Sequence, residues 1–335
     1  MRSPAPRPGT LTRRTLLAAS GAGLLAACGS DAGDAQAGQG GWRFTDDRGE
    51  TATLDATPER VVAYVASAAA LHDFGVTCAA IFGPSSPVRG EPNPQAGDLD
   101  VDRLTSLGEA WGEFNVERYA RLEPQLLVSN MNPGPDLWYV PEESKDDILA
   151  LAPSVGIGTK DVSAPQVIQR YAELAEALGA DLGAGTVREA RSRFDAASES
   201  LRRAARDNPG VRVMAVAANP REMAVAVPDS YPDLTYFSEL GVELVRARVV
   251  DEWGYWHTLS WENADTYHAD LIILDNRAQA TTPEELAEVP TWARLPAVEA
   301  GQVAPWPSEE RFSYQGYAAQ LERLAEAVRT AERLD

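Results

Sequence analysis

The chain of 335 residues is long enough for two lobes rather than a single hydrophobic core. Its formal charge is −20; the four arginines of residues 1–27 face no acid there, so the rest of the chain carries −24. So acidic a surface argues against binding to nucleic acid and against peripheral attachment to anionic lipid. It favours solubility and a basic protein partner.

Residues 1–27 have the pattern of an export signal. Arg13 and Arg14 precede an apolar stretch of 12 residues, Leu16–Ala27, as in twin-arginine signals, which export folded proteins. At ~1.5 Å per residue, this stretch is too short to cross a ~30 Å hydrocarbon core. It ends in Leu25-Ala-Ala-Cys28, which resembles a bacterial lipobox. That resemblance implies cleavage before Cys28 and attachment of lipid to its thiol.

We therefore expect a lipid-anchored protein on the extracytoplasmic face of the cell membrane; a soluble secreted protein is the alternative. The Ala- and Arg-rich composition favours a Gram-positive, high-GC host. Residues 28–41 are rich in Gly, Ala, Asp and Gln and predict a flexible tether. The remaining cysteine, Cys78, lies in an apolar run between glycines and is interpreted as a buried structural thiol.

Apolar runs of strand length alternate with helical segments through the rest of the chain. The predicted strands are 60–66, 78–82, 126–129, 154–157, 211–217, 223–227, 271–274 and 302–304, with a short helix over 68–74. This alternation predicts an α/β fold with mostly parallel sheets covered on both faces.

The most regular helical pattern, Thr186–Arg206, lies between the two halves. Its apolar residues recur at steps of three and four, and Val167–Leu178 is its predicted partner helix. We interpret the long helix as a rigid strut between two lobes. The predicted boundaries are an N-terminal lobe over 42–182, the interlobe helix over 183–207 and a C-terminal lobe over 208–335.

An internal repeat supports two similar lobes. Asn115-Val-Glu117 and Ser260-Trp-Glu262 each combine an N-cap residue with a Glu at the second helical position, and in each a predicted strand starts nine residues after the Glu. Further matches occur in the same order, such as Phe74-Gly-Val with Leu240-Gly-Val. The repeat predicts two lobes facing each other across a cleft.

The chain after residue 57 resembles the periplasmic-binding-protein family that serves importers of iron–siderophore, haem and cobalamin. The resemblance rests on ordered motifs: Pro58-Glu-Arg-Val-Val-Ala, Leu122-Glu-Pro-Gln-Leu-Leu-Val, Phe237-Ser-Glu-Leu-Gly and Trp292-Ala-Arg-Leu-Pro-Ala-Val-Glu-Ala-Gly-Gln-Val. It implies two α/β lobes joined by one long helix and a monomeric binding protein without cofactor. The implied partners are an ABC permease dimer with its ATPase.

In that family, one exposed Glu on each lobe docks onto arginines of the permease. Glu117 and Glu262 match these positions. A carboxylate in a first helical turn is also favoured by the helix dipole, by ~0.3–1 kcal/mol, without any partner. Both interpretations stay open at this point.

Ligand residues are expected in loops that follow the strands. Aromatic residues are frequent there, including Trp253, Trp306 and Phe312, and loop arginines could bind the carbonyl or hydroxamate oxygens of an iron chelate. A ferric siderophore of the hydroxamate type is favoured, with haem and cobalamin as alternatives. The candidate ligand-binding residues are Arg89, Trp111, Trp138, Tyr139, Arg221, Tyr255, Trp256, Arg277, Arg311 and Tyr314.

Enzymatic motifs are absent from the sequence, which holds no Gly-x-Ser-x-Gly elbow, phosphate loop or His-Glu-x-x-His. The chain is therefore not expected to be an enzyme; a surface hydrolase would be revealed by ester and glycoside substrates. A zinc- or manganese-binding protein is a second hypothesis, built on His257 with carboxylates. Capture of a free metal needs several convergent ligands, and no metal site is predicted.

Overall fold

The computed structural model describes residues 41–334 except Arg89, Glu91, Pro133, Ala278 and Gln279. The predicted export signal, residues 28–40 of the predicted tether and Cys28 lie outside the described residues. The first elements are the antiparallel strands β1 (Trp42–Thr45) and β2 (Thr51–Leu54). The indole of Trp42 donates to the carbonyl oxygen of Ala177 at 2.8 Å, which ties this hairpin to a helix far along the chain.

The first sheet is parallel throughout, as its continuous apolar strands predict. Its strand order is β5-β4-β3-β6-β7, and every residue of β3, β4 and β6 is buried. The strands are β3 (Val61–Tyr64), β4 (Ala80–Phe82), β5 (Thr105–Ser106), β6 (Leu126–Met131) and β7 (Ser154–Gly158). The connecting helices are α1 (Val65–Asp73), α2 (Val116–Arg121) and α3 (Lys145–Leu151), with 3₁₀ turns at Val101–Arg103 and Glu142–Ser144.

The second sheet is mainly parallel, as predicted, but it also has an antiparallel edge, which was not predicted. Its order is β11-β9-β8-β12-β13, with β10 also paired to β8. The strands are β8 (Arg212–Ala218), β9 (Glu222–Ala226), β10 (Glu243–Leu244), β11 (Trp256–Ser260), β12 (Leu271–Asp275) and β13 (Val303–Trp306). β9 runs antiparallel to β8 and β11. Only residues 219–221 separate β8 from β9, and a parallel crossover needs a dozen residues or more.

The long helix is longer than predicted and has a different partner. The helices of this region are α4 (Ala164–Ala177), α5 (Gly185–Asp207), α6 (Pro232–Glu239), α7 (Pro283–Ala287), α8 (Pro290–Ala293), α9 (Pro296–Glu299) and α10 (Tyr314–Thr330), with 3₁₀ turns at Pro228–Ser230 and Trp261–Thr266. The prediction that α4 is the partner of α5 is wrong, because α5 packs mainly along α10. The apolar stripe of α5, with Phe194 and Leu201 at its centre, is buried.

The core follows from the alternation of side chains along β8. Val213 and Ala215 belong to the large cluster that includes the first sheet, α5 and α10. Met214 and Val216 point to the other face and pack in a second cluster with Trp292. Among the described residues, no helix combines the length and apolar composition needed to cross a bilayer.

A short segment after β13 contacts the first sheet's side of the molecule. The Nε of Arg311 donates to Asp73, the last residue of α1, at 2.6 Å, and the Ser313 hydroxyl donates to the same carboxylate. The ring of Phe312 stacks on Tyr171 of α4, with the centroids 6.3 Å apart. Residues 309–313 therefore form a further link between the two halves of the chain, in addition to α5.

Candidate ligand-binding cleft

A cavity of about 370 Å³ is lined by residues of both sheets. From the first sheet come Asn130 of β6 and Thr159, directly after β7; from the second come Arg277 and Glu309, soon after β12 and β13. These parallel strands present their carboxyl ends to the cavity, the usual place for ligand sites in open α/β sheets. The complete lining is Trp111, Asn130, Asn132, Trp138, Thr159, Ser230, Tyr231, Pro232, Asp251, Trp253, Tyr255, Trp256, Arg277, Ser308, Glu309 and Phe312.

Aromatic rings form much of the cavity wall. On one side Trp111 lies against Trp138, with ring centroids 4.7 Å apart. On the other side Tyr231 meets Trp256 at 5.5 Å and Tyr255 at 5.4 Å. Trp111 and Trp253 expose 61% and 55% of their surface, although large exposed apolar side chains are uncommon unless they serve an interaction. The two exposed indoles belong to opposite sides of the cavity.

A polar network crosses the base of the cavity between the two sheets. One oxygen of Glu309 accepts hydrogen bonds from the Tyr64 hydroxyl at 2.8 Å, the Gln95 amide at 2.7 Å and the Trp138 indole at 3.3 Å. Its other oxygen is paired with Arg277. Glu309 thus joins side chains of both halves, and its acceptor capacity is largely used within the protein.

Arg277 is held between two carboxylates. Besides Glu309 it contacts Asp275, at 2.9 Å between Nη2 and Oδ2, and Asp275 also accepts from Ser308 at 3.0 Å. Burial alone would lower the pKa of Arg277, but the charges of Glu309 and Asp275 raise it well above its ordinary value. The guanidinium therefore stays charged, and the carboxylates of Asp275 and Glu309 next to it balance its charge.

Two tyrosine hydroxyls remain as neutral donors. Tyr255 is 8% exposed, and within the described part of the chain its buried hydroxyl oxygen has no hydrogen-bond partner. Burial, with smaller contributions from the charges of Asp161 and Asp251, raises the pKa of this hydroxyl to about 12, so it stays protonated. Burial likewise raises the pKa of Tyr231. A buried donor without a partner is costly unless a ligand or water supplies an acceptor.

The structure brings half of the predicted ligand residues together. Five of them line the cavity, namely Trp111, Trp138, Tyr255, Trp256 and Arg277. Tyr139 lies behind the wall, buried and stacked on Tyr64 at 5.4 Å. Arg89 lies outside the described residues.

The other three predicted residues are elsewhere. Arg221 is exposed in the tight turn between β8 and β9, where only its backbone is tied down, through Asn219. Arg311 is buried in ion pairs with Asp73 and Glu310. Tyr314 opens α10 and packs against Phe74 and Phe194.

Sequence reasoning missed two central residues, Tyr231 and Glu309. Each follows a strand within a proline-containing turn, Val227-Pro-Asp-Ser-Tyr231 or Trp306-Pro-Ser-Glu309. That shared position was the available signal. The remaining unanticipated lining residues are Asn130, Asn132, Thr159, Ser230, Pro232, Asp251 and Ser308.

The two repeat glutamates lie outside the cavity lining. Glu117 is in the first turn of α2, where the Asn115 side chain accepts from the Arg118 N–H at 2.8 Å, and its own side chain is 89% exposed. Glu262 is exposed in the first turn of a 3₁₀ helix, not an α-helix, and Ser260 makes no N-cap bond. β6 and β12 begin nine residues after the respective glutamates, at the positions the repeat predicts.

His257, the histidine considered as a metal ligand in the sequence, is hydrogen-bonded to Tyr267 outside the cavity lining. The Nδ1 of His257 lies 2.8 Å from the Tyr267 hydroxyl, and His257 does not line the cavity. Within the residues described above, no three His, Cys, Asp or Glu side chains are grouped so that they could hold a metal ion.

Comparison with known proteins identifies the family. The model of the family described as periplasmic binding protein matches residues 78–310. DesE, a ferric-siderophore receptor protein from Streptomyces coelicolor, is 45% identical, with a TM-score of 0.83 over 88% of this chain and 100% of that chain. No curated protein sequence matches significantly.

More distant structures share the fold. The siderophore periplasmic binding protein from the fuscachelin gene cluster of Thermobifida fusca is 22% identical, with a TM-score of 0.58 over 81% of this chain and 96% of that one. The petrobactin-binding protein YclQ from Bacillus subtilis is 14% identical, with a TM-score of 0.64 over 85% and 98%. The two-lobed α/β fold, the matched family model and the 45% identity over the whole of DesE together place this chain in the periplasmic binding protein family, which comprises extracytoplasmic binding proteins rather than enzymes.

Proposed function

We propose that this protein is the substrate-binding component of an ABC importer and that it captures a ferric siderophore, of the hydroxamate type. The observation that carries the proposal is the cleft, in which exposed indoles from two sides, together with Tyr231 and Tyr255, surround about 370 Å³. That volume is in the range of small-molecule sites, roughly 300–1,000 Å³. The similarity to a ferric-siderophore receptor over its whole length supports the same class of ligand.

The chemistry of the free donors favours hydroxamates. A ferric trihydroxamate has no net charge at the metal, because three singly charged hydroxamates balance the ferric ion, and it presents carbonyl oxygens as acceptors. Tyr231 and Tyr255 offer neutral donors to such oxygens, and the aromatic wall suits the organic backbone of the chelate. A ferric triscatecholate is a trianion and would need unpaired cations.

Delivery and anchoring complete the proposal. The exposed Glu117 and Glu262 occupy corresponding places before β6 and β12, which are each fourth in the strand order of their sheets, so one permease dimer with two similar basic sockets could engage both. The lipobox-like Leu25-Ala-Ala-Cys28 supports a lipid anchor on the outer face of the membrane, because two or three acyl chains hold a soluble domain durably.

A titration of tryptophan fluorescence tests the ligand class. Ferric trihydroxamate should quench the indoles of the cleft and saturate, whereas ferric catecholate, haemin and cobalamin should not. Trp111→Ala and Trp253→Ala should each weaken trihydroxamate binding by roughly 1–4 kcal/mol, since both indoles are exposed in the cavity. Trp261→Ala is the control, because this indole lines a separate cavity beside Glu262. Saturable binding of haemin or cobalamin alone would contradict the proposal.

A further inference from the structure

Acidic side chains outnumber basic side chains among the described residues of the cleft. Among the described lining residues, Arg277 is the base, and Asp251 and Glu309 are the acids. Asp275 adds a third carboxylate directly behind Arg277. The cavity therefore carries a net negative charge, in a protein whose total charge is already −20.

Arg277 has little left to offer an anionic ligand. Its Nε and Nη2 donate to Asp275, and its Nη1 donates to Glu309. Lys160, which follows the lining residue Thr159, donates from Nζ to the Trp253 carbonyl oxygen at 2.9 Å and lies 5.0 Å from the centre of the Tyr255 ring. These contacts orient Lys160 but leave its charge, because both partners are neutral; Arg277 and Lys160 together still face the three carboxylates Asp251, Asp275 and Glu309.

Asp251, in contrast, is not held in an ion pair by any described side chain. Its Oδ1 accepts the Tyr255 N–H at 2.9 Å. Asp251 lines the same cavity as the exposed indole of Trp253, two residues later, and a carboxylate together with an aromatic ring is a suitable environment for an ammonium group. Tyr255 lines the same cavity, and within the described residues its buried hydroxyl has no hydrogen-bond partner, which is a second sign, independent of Asp251, of incomplete pairing in this region.

We infer that the cleft selects chelates by charge: it accepts neutral and positively charged complexes, uses Asp251 as the contact for a pendant ammonium group, and rejects anionic complexes. This inference rests on the proposed function and specifies its substrate class. At an effective dielectric constant of ~20, adding or removing one unit charge on the ligand, about 6–12 Å from an unpaired carboxylate, changes the affinity by roughly ten- to a hundredfold.

The test uses three complexes that differ only at one terminal group, which makes their net charges differ in steps of one unit. A linear trihydroxamate with a terminal amine is loaded with gallium(III), which has the charge of ferric iron without its redox chemistry. It is used with the amine free, acetylated or succinylated, which makes the complex cationic, neutral or anionic. Calorimetry should give the tightest Kd for the cationic and the weakest for the anionic complex, with steps of roughly tenfold or more.

Variants at neighbouring positions assign the effect. Asp251→Asn can still accept the Tyr255 N–H, so the fold is kept; it should weaken binding of the cationic complex roughly tenfold and leave the acetylated one within about twofold. Glu252→Gln is the matched control, because it makes the same change of charge one residue away, on an exposed side chain outside the cavity lining. It should leave all three affinities as in the wild type.

Two results would overturn the inference. Equal affinities for the three complexes, or an unchanged preference in Asp251→Asn, would refute charge selection while the proposed function stands. Failure of all three complexes to bind would refute the proposed function, and this inference with it.

Discussion

At the residue scale, two loop arginines that look alike in the sequence have different surroundings. Arg277 borders the cavity between Asp275 and Glu309, whereas Arg311 is buried against Asp73 and Glu310. Each has its charge balanced by carboxylates from separate elements. A buried charge is tolerated only when it is paired in this way, so the surrounding acids decide where each arginine lies.

Asp233 should give the stability of the fold a measurable pH dependence. Burial raises its pKa from 3.8 to about 6, although Trp306, Gln320 and the Leu234 N–H donate to it. The folded protein therefore takes up this proton at higher pH than the unfolded chain does. The resulting stabilisation is complete below about pH 4 and is lost as the pH rises through about 6, by up to about 3 kcal/mol at ~1.4 kcal/mol per pKa unit.

Urea unfolding at pH 4 and pH 7 measures this contribution. Asp233→Asn should lose the part of the pH dependence that belongs to this carboxyl, whatever its absolute stability. The control is Asp229→Asn, four residues before Asp233, where an exposed carboxylate pairs with Arg246; this variant should keep the wild-type difference. An identical pH dependence in Asp233→Asn and the wild type would contradict the assignment.

At the element scale, the packing of α5 on α10 is the main helix contact of the molecule. Phe194 is buried there; its ring stacks on Tyr236, with centroids 5.7 Å apart, and meets the tilted ring of Tyr314 at 5.6 Å. Phe194→Ala should lower the free energy of unfolding by about 3–5 kcal/mol, because it removes a buried ring and leaves a cavity. Denaturant unfolding followed by circular dichroism gives the value.

The neighbouring Arg193 provides the contrast on the same helix. It is half-exposed and pairs with Glu322 of α10 at 2.6 Å. Arg193→Ala should cost only about 0.2–1 kcal/mol, as for other surface ion pairs. Comparable losses in the two variants would mean that the helix contact depends on surface charge rather than on its apolar stripe.

At the scale of the whole molecule, ligand capture and docking should be separable. Glu117 and Glu262 are exposed and do not line the cavity. The double variant Glu117→Ala/Glu262→Ala should therefore bind the ferric chelate with wild-type affinity, while iron uptake through the cognate permease falls sharply. Single variants should lose less, because one contact remains. A role limited to the helix dipole predicts lower Tm with nearly normal uptake instead.

A second double variant, at glutamates near the amino ends of β3 and β13, removes the same charge and serves as the control. Glu59 lies two residues before β3, and Glu299 is the last residue of α9, shortly before β13. Both are exposed, and Glu59→Ala/Glu299→Ala should leave uptake unchanged. Normal uptake by the Glu117/Glu262 double variant would refute docking through these residues.

The sequence predicted features that depend on local pattern. The apolar parallel strands and α5 were found because their residues are buried along a regular period. β11 was missed because this strand of the sheet edge is half-exposed and lacks an apolar run. Tyr231, Glu309 and the burial of Arg311 could not be predicted, because each depends on partners from distant segments that only the folded chain brings together. The domain boundaries stay predictions.

The link formed by residues 309–313 has a consequence for biosynthesis. The Asp73 side chain is buried, and Arg311, with which it forms an ion pair, is 238 residues later in the chain. Glu309, which accepts the hydrogen bond of the Tyr64 hydroxyl, is 245 residues after Tyr64. At ~5–20 residues per second, a ribosome needs roughly 12–48 s to make the intervening chain. The first lobe therefore emerges with a carboxylate that lacks its counter-charge, and its native interior is complete only when the final helix is being translated.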